Sequence, residues 1–307
     1  MTDERSPHGK YFLGIAVDQN RRWGPRAALL PIAYDGTVSY QRGARRGPLA
    51  ILDASTHLES YDEELEVETW QKVAIQTLPA LAPDHADPVG VMERIERAAR
   101  EVVAAGQFLI GLGGEHSVTA PLVRAVRSTH PRLGVLQLDA HADLRDTFEG
   151  SPYSHACVMH RILDDDIPFA QVGVRSFSAE ERILMRERGI CTVLAAEAVS
   201  APVGRWIGGV LRALPEEIYV TVDLDALDPA IMPATGTPEP GGLDWYRVLT
   251  VLREVASAKQ IVGFDVVELA PIPGQPASDF LAARLVYRLI GLALGRGRRD
   301  GTGGSPR

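Results

Sequence analysis

Short apolar segments alternate with amphipathic segments along most of the chain, and this alternation constrains the fold more than any other feature. The apolar runs at residues 134–138 and 217–222 are strand-like, whereas residues 91–106 show the periodicity of an amphipathic helix ended by glycine. Residues 11–17 are also expected to form a short buried strand. Parallel strands need crossover connections, which are usually helices, so the pattern predicts a mainly parallel sheet with helices on both faces.

The chain is long enough to bury a large core, because 45% of its 307 residues are hydrophobic. No linker or shift in composition divides it, and we therefore predict one domain over residues 1–307. The polar segments at about 1–10 and 296–307 are expected to be flexible tails.

Asp139, His141 and Asp143 directly follow the apolar run at residues 134–138. Alternate residues of an extended strand point the same way, so these three side chains are expected to converge. Two carboxylates and an imidazole directed at one point would repel one another or stay unpaired unless a cation lay between them. A divalent metal satisfies this need, and the alternative is a helix cap beside a core histidine with ordinary hydrogen bonds.

Two other apolar runs end in residue types that bind metals. His116 follows the run at residues 107–112 after a Gly-Gly turn, and Asp223 and Asp225 follow the run at 217–222. Asp228, which precedes a proline, is interpreted as a turn residue. Binding sites in open parallel sheets form at the carboxyl ends of the strands. The candidate metal ligands are therefore His116, Asp139, His141, Asp143, Asp223 and Asp225.

Six protein ligands suit two divalent ions about 3.5–4 Å apart, because carboxylates can bridge two metals. None of the six is a cysteine, which counts against a structural zinc site. Hard oxygen donors with some imidazole favour Mn²⁺, with nickel, iron or zinc as alternatives. A water shared by two such ions has a pKa near neutrality and is a nucleophile, so the pattern predicts hydrolysis at carbon or phosphorus.

Charge and composition exclude several other classes. The net charge is −8 and no stripe of Lys and Arg is present, so no nucleic-acid partner is expected. The N-terminus has no apolar signal core, and no run of about 18 apolar residues occurs, so we expect a soluble, cytoplasmic protein without a membrane partner. The two cysteines, Cys157 and Cys191, form no disulfide framework and fit a reducing compartment.

Six short motifs resemble those of the ureohydrolase family of arginases and agmatinases. They are GGEHS at 113–117, DAHADLR at 139–145, SHA at 154–156, DLDALDP at 223–229, GTPEPGG at 236–242 and FDVVE at 264–268. The resemblance extends from about residue 28 to residue 290. It implies a three-layer α/β/α arginase-type fold with a mainly parallel eight-stranded sheet, two Mn²⁺ ions at its carboxyl edge, and a homotrimer or homohexamer.

The same resemblance implies residue roles. One ion would be bound by His116, Asp139, Asp143 and Asp223, and the other by Asp139, His141, Asp223 and Asp225. His155 matches the proton-shuttle histidine and Glu268 the carboxylate that holds a guanidinium, and Asp143 is grouped with them as a catalytic residue. The implied reaction is metal-dependent hydrolysis of a guanidino group, a C–N bond in a linear amidine, to urea and an amine.

Residues 146–155 bear on the substrate. Arginases carry a stretch rich in Thr, Ser and Asn here that binds the α-amino acid end, whereas this chain has Asp146, Phe148, Glu149 and Tyr153. An acidic, aromatic loop suits a cationic amine tail, and the region looks like that of bacterial and archaeal agmatinases. We therefore predict a small cationic guanidino substrate, agmatine, which would give putrescine and urea.

Several alternatives stay open at this point. N1-aminopropylagmatine satisfies the same acidic loop. Arg145 could face a substrate carboxylate, which would favour guanidino acids or formimidoyl compounds, although an ion pair of Arg145 with Asp146 or Glu149 is the preferred interpretation. A deacetylase on a related fold would use one zinc and would not need six ligands, and a non-catalytic regulator would not retain them.

Overall fold

The computed structural model describes residues 11–15, 26–83 and 87–295, and its centre is an eight-stranded sheet in which all neighbouring strands are parallel. The strands, numbered along the chain, are β1 (Arg26–Pro31), β2 (Tyr61–Asp62), β3 (Val67–Glu68), β4 (Ala74–Thr77), β5 (Phe108–Leu112), β6 (Gly134–Leu138), β7 (Phe169–Val174), β8 (Cys191–Leu194), β9 (Glu217–Asp223) and β10 (Gln260–Val267). β2 and β3 form a separate antiparallel hairpin. The predicted eight-stranded sheet is confirmed, and the predicted flexible tails lie outside the described residues.

Helices cover both faces of the sheet. They are α1 (Gly47–Ser55), α2 (Pro88–Ala104), α3 (Thr119–Arg127), α4 (Val158–Asp164), α5 (Ala179–Glu187), α6 (Ala195–Ser200), α7 (Ile207–Ala213), α8 (Trp245–Ala258) and α9 (Ala277–Ile290). One buried apolar cluster joins α2–α5 to one face, and a second joins α1 and α6–α9 to the other. This arrangement confirms the three-layer α/β/α prediction. Within the described ranges, no helix is long and apolar enough to span a membrane.

The strand order brings the motif-bearing strand ends together. The sheet runs β4-β1-β5-β10-β9-β6-β7-β8. The candidate metal ligands and Glu268 lie at or just after the ends of four strands, β5, β10, β9 and β6. These four strands are consecutive neighbours at the centre of the sheet. Their last residues lie in register: Leu112 pairs with Val266, Val267 with Asp223, and Leu138 with Val222. Because the strands are parallel, the loops that follow them leave the sheet at one edge.

The prediction of a strand at residues 11–17 is wrong for its described part. Phe12–Gly14 form a short 3₁₀-helix, in which Leu13 has φ 57° and Gly14 has φ 68°. The Phe12 and Leu13 amides donate to the side-chain hydroxyls of Thr77 and Ser55, each at 2.9 Å, instead of to the backbone of a neighbouring strand. A short apolar run fits a buried strand and a buried turn equally well, and here side-chain acceptors decide between them.

Arg288 of α9 is a buried cation that forms ion pairs with the β2–β3 hairpin. Its guanidinium contacts the carboxylates of Asp62, Glu63 and Glu64, the last two at 3.1 Å each, and Arg288 and Asp62 are only 2% and 1% exposed. Removing one partner of a buried ion pair leaves an uncompensated charge and costs about 3–5 kcal/mol. We therefore expect Arg288→Met to lower the free energy of unfolding by about that amount, measured by chemical denaturation.

Arg253 provides the matched control for this prediction. Its guanidinium also binds Glu64, at 3.2 Å, but its side chain is 42% exposed. Exposed ion pairs contribute about 0–1 kcal/mol, so Arg253→Met should change stability little. Equal destabilisation by the two substitutions would contradict the role assigned to Arg288.

Candidate metal centre

Three predicted ligands lie in the segment that directly follows β6. The strand ends at Leu138, and Asp143 lies in the left-handed region with φ 55°. The Asp143 carbonyl accepts hydrogen bonds from the amides of Met159 and His160 at 3.0 and 3.2 Å, which ties the turn to α4. Asp139 and His141, two positions apart, both face the cluster as alternation predicts, whereas Asp143 reaches it through this turn.

His116 lies at the centre of one ligand group. Its Nδ1 is 2.9 Å from Asp139 Oδ2, 3.0 Å from Asp143 Oδ2 and 3.3 Å from Asp223 Oδ2. The histidine is 1% exposed and Asp139 is fully buried. The structure therefore brings together the four residues assigned by sequence to the first ion.

His141 lies at the centre of a second group. Its Nδ1 is 3.0 Å from Asp225 Oδ2 and 3.6 Å from Asp139 Oδ1. His116, Asp139 and Asp223 form one set of ligand atoms that could hold a metal ion, and Asp139, His141 and Asp225 form another. The two oxygens of Asp139 face different histidines, so this carboxylate is shared by the two positions.

A hydrogen-bonded chain fixes the tautomer of His116. The Thr221 hydroxyl donates to Asp265 at 2.6 Å, so it accepts from Nε2–H of His116 at 2.9 Å. Tyr219 donates to the other oxygen of Asp265 at 2.8 Å. In neutral His116 the unprotonated nitrogen is therefore Nδ1, the atom that faces the carboxylates.

This arrangement fits a metal ion. Nδ1 of His116 is buried and has no hydrogen-bond partner among the described residues. Three buried carboxylate oxygens and an imidazole nitrogen that converge on one point need a shared positive charge, which bound protons or a metal cation supplies. Carboxylate oxygens with imidazole nitrogens are a donor set for hard or intermediate divalent ions.

The pKa values of the cluster lead to the same conclusion. Burial, followed by repulsion from Asp139, raises the pKa of Asp143 to about 7, and burial with neighbouring carboxylates also raises the pKa of Asp223. Although burial opposes it, the surrounding carboxylates raise the pKa of both His116 and His141. Without a cation, the cluster holds protons at neutral pH on atoms that a metal would bind.

Metal binding is therefore expected to release protons and to strengthen as pH rises. Protons bound to the raised-pKa histidines and carboxylates must leave before the lone pairs can bind a cation, so lower pH favours the protonated, metal-free cluster. Titration calorimetry with Mn²⁺ at pH 7, in two buffers of different protonation enthalpy, should detect the release of at least one proton per chain. An affinity that stays constant between about pH 6 and 8 would contradict this prediction.

Buried amides support the shared carboxylate. Gln137 Nε2 donates to Asp139 Oδ2 at 2.7 Å, and the His141 amide donates to Asp139 Oδ1 at 2.6 Å. Gln171 donates to Gln137 Oε1 at 2.6 Å and accepts from Thr192 at 3.1 Å, so the chain crosses β6, β7 and β8. The sequence reasoning missed these residues.

The missed supporting residues had one available sequence signal. Gln137 and Thr221 each lie two positions before the first aspartate of a metal motif, in strands that are otherwise mostly apolar. Residues two apart in a strand share a face, so a polar side chain there can reach the ligands.

Glu268 and His116 are in direct contact. Glu268 follows β10 with φ 67°, its amide donates to the Gly114 carbonyl at 2.8 Å, and its Oε1 accepts from the His116 amide at 2.7 Å. Burial, then repulsion from Glu115, raises the pKa of Glu268 well above its usual range. A buried carboxylate beside the ligand group is a suitable partner for a cationic, planar donor such as a guanidinium.

His155 lies half-buried at the start of a 3₁₀ turn before α4. Its amide donates to Thr37 Oγ1 at 3.0 Å, and its Nε2 is 3.4 Å from Ser39 Oγ. Burial lowers the pKa of His155 to about 4, so the ring is neutral at pH 7. Ser154 is the N-cap residue, but its side chain makes no capping hydrogen bond.

The loop after the DAHADLR motif differs from its predicted interactions. Arg145 lies 5.0 Å from the centre of the Phe148 ring, and the Phe148 and His155 rings meet edge-on with centroids 6.1 Å apart. Asp146 binds Arg161 at 2.7 Å. The preferred interpretation, an ion pair of Arg145 with Asp146 or Glu149, is therefore wrong. The Arg145 guanidinium lies over the Phe148 ring, and Asp146 binds Arg161 instead.

Asp228 has the turn role predicted for it. Its carboxylate accepts from the amides of Ala230, Gly241 and Gly242 at 2.8–2.9 Å, which links the two ends of the loop that follows β9. It belongs to neither metal-type group.

Comparison with known proteins identifies the family. The model of the arginase family matches residues 25–291. The chain belongs to the arginase family. N(1)-aminopropylagmatine ureohydrolase of Synechocystis sp. is 39% identical over 269 residues, which cover 86% of this chain and 87% of that protein.

Two further comparisons agree with this assignment. The agmatinase of Pyrococcus horikoshii is 35% identical over 272 residues, covering 86% of this chain and 91% of that protein. The crystal structure of agmatine ureohydrolase of Thermoplasma volcanium matches with a TM-score of 0.82 at 30% identity, covering 93% of this chain and 94% of that one. The predicted arginase-type fold is confirmed.

Proposed function

We propose that the protein is a two-metal hydrolase that releases urea from agmatine and leaves putrescine as the second product. The observation that carries the proposal is the buried, unpartnered Nδ1 of His116, which faces three carboxylate oxygens while the His116 amide binds Glu268. It supports a cation beside a carboxylate suited to a guanidinium. The family assignment supports the same reaction class.

The proposed ligand sets follow the two groups. His116, Asp139, Asp143 and Asp223 would hold one ion, and Asp139, His141, Asp223 and Asp225 would hold the other. Mn²⁺ is the proposed metal, because the donors are carboxylate oxygens and imidazole nitrogens. A single domain, a homotrimer or homohexamer and a cytoplasmic location are proposed as well, and the last is supported by two free cysteines.

The reaction adds water to the guanidino carbon and breaks the C–N bond to the tail, and the tail nitrogen leaves as an amine. When bound, divalent cations supply a water nucleophile near neutral pH. Glu268 would orient the guanidinium, since one of its oxygens is already fixed by the His116 amide. The neutral ring of His155 would accept a proton and deliver it to the leaving nitrogen.

N1-aminopropylagmatine is a second candidate substrate. The relative that carries this name is 39% identical to the chain, against 35% for the named agmatinase. The two substrates share the guanidino end and differ in the cationic tail. The loop at residues 146–155 contains two carboxylates that could bind such a tail. Asp146 is already bound by Arg161, whereas Glu149 is exposed.

A substrate panel tests the proposal. Urea release by the Mn²⁺-loaded protein would be measured with agmatine, N1-aminopropylagmatine, arginine, guanidinobutyrate and formimidoylglutamate. We expect one of the first two to give the highest kcat/KM, arginine to be poorer by a factor of about 100, and chelation to abolish activity. A preference of tenfold or more for the aminopropyl compound would assign the second candidate. The highest kcat/KM with arginine, or no urea from any guanidine, would overturn the proposal.

A further inference from the structure

Glu115 is a buried carboxylate that the proposed reaction does not use. It is fully buried, yet three donors converge on it: the Thr37 amide at 2.7 Å, the Thr37 hydroxyl at 2.6 Å and the Ser117 hydroxyl at 2.6 Å. All three are donors, so the position requires an acceptor with two oxygens, which a carboxylate supplies. Glu115 therefore binds the loop at residues 37–39 firmly to the segment that carries His116.

The loop at residues 37–39 in turn contacts both the backbone amide and the ring of His155. The Thr37 hydroxyl donates its proton to Glu115 and accepts the His155 amide at 3.0 Å. Two residues further on, Ser39 Oγ lies 3.4 Å from Nε2 of the same histidine. The position of His155 thus depends on a loop that is distant in sequence and is fixed by Glu115.

Close backbone packing keeps this linkage rigid. The Glu115 amide donates to the Tyr34 carbonyl at 2.8 Å. A Cβ atom at Gly114 would lie 1.8 Å from that carbonyl oxygen, so only glycine permits the approach. Two consecutive residues therefore fix His155 and Glu268, the two side chains of the proposed reaction. Glu115 binds Thr37, which in turn binds the His155 amide, and the His116 amide binds Glu268.

We propose that Thr37, held by the carboxylate of Glu115, is a positioning residue that sets the location of His155, the proposed proton carrier. The catalytic consequence rests on the proposed function, whereas the linkage itself does not. Loss of the Thr37 hydroxyl removes the acceptor of the His155 amide and one of the three donors to Glu115. His155 would then lose the geometry needed for proton transfer, although every proposed metal ligand would remain.

The linkage is tested by hydrogen–deuterium exchange on three full-length variants. Thr37→Val keeps the side-chain shape and removes the hydroxyl, whereas Thr37→Ser keeps the hydroxyl. Glu115→Gln replaces one acceptor oxygen with a donor. The peptide that contains His155 should exchange about tenfold faster in Thr37→Val and Glu115→Gln, and at the wild-type rate in Thr37→Ser. Unchanged exchange in both disruptive variants would overturn the inference, whether or not the wild type releases urea.

The catalytic consequence is tested by a double-mutant cycle with His155→Ala. Thr37→Val should lower kcat for urea release by about 10–100-fold at unchanged metal content, with rescue in Thr37→Ser. In the His155→Ala background, Thr37→Val should have no further effect, because Thr37 acts through His155. A further loss of the same size would overturn the positioning role. A wild type that releases no urea would count against the proposed function, and the exchange measurement would still decide the linkage.

Discussion

Asp139→Asn is expected to remove bound metal from both positions and to lower kcat/KM by roughly 10³-fold. Oδ2 of Asp139 faces His116 and Oδ1 faces His141, so its carboxylate is common to the two groups. Catalytic metals contribute several kcal/mol of stabilisation to the transition state, and about 4 kcal/mol corresponds to that factor. Metal content would be measured by elemental analysis, and activity by urea release.

Asp164→Asn is the matched control for this prediction. Asp164 is 49% exposed and binds Arg161 at 3.2 Å, away from the ligand groups, so its substitution should leave two ions per chain. Retention of both ions by Asp139→Asn would contradict the shared role of Asp139. Loss of a single ion would show that the two groups are independent.

Glu268→Gln is expected to lower kcat/KM by about 10²–10⁴-fold and to leave metal content unchanged. Removal of one partner from a buried pair of opposite charges costs about 3–5 kcal/mol, and the guanidinium of the substrate stays protonated at neutral pH. The glutamine oxygen could still accept from the His116 amide, so the ligand geometry should persist. The measurements are steady-state kinetics with agmatine and elemental analysis of the purified protein.

Glu180→Gln controls for loss of a carboxylate elsewhere. Glu180 lies in the first turn of α5 and is exposed, so the kinetics of Glu180→Gln should match those of the wild type. If Glu268→Gln lost metal together with activity, Glu268 would support the metal centre instead of binding the substrate.

The sheet and the grouping of the candidate ligands were predictable because they depend on local patterns. Apolar runs of strand length identify β5, β6 and β9, and residues at the ends of central parallel strands must meet at one edge. The helix start at Ser178 is equally local, because Ser178 and Glu181, three positions apart, form a capping box. The strands and the helix start are decided by neighbours in the chain, and the grouping follows from the parallel arrangement of the strands.

The contacts that orient the ligands could not be predicted in the same way. Thr221 and His116 are separated by 105 positions, and Thr37 and Glu115 by 78. No periodicity relates such residues, because their contact depends on how loops pack after the sheet has formed. The turn at Asp143 was missed because its φ of 55° breaks the alternation of a strand.

The most direct test of the account is an anomalous diffraction map of crystals loaded with Mn²⁺. The account predicts two peaks about 3.5–4 Å apart, one bound by His116 and the other by His141, with Asp139 bound to both. A single peak that leaves His141 and Asp225 without metal, or a metal bound elsewhere while the six side chains point apart, would contradict it.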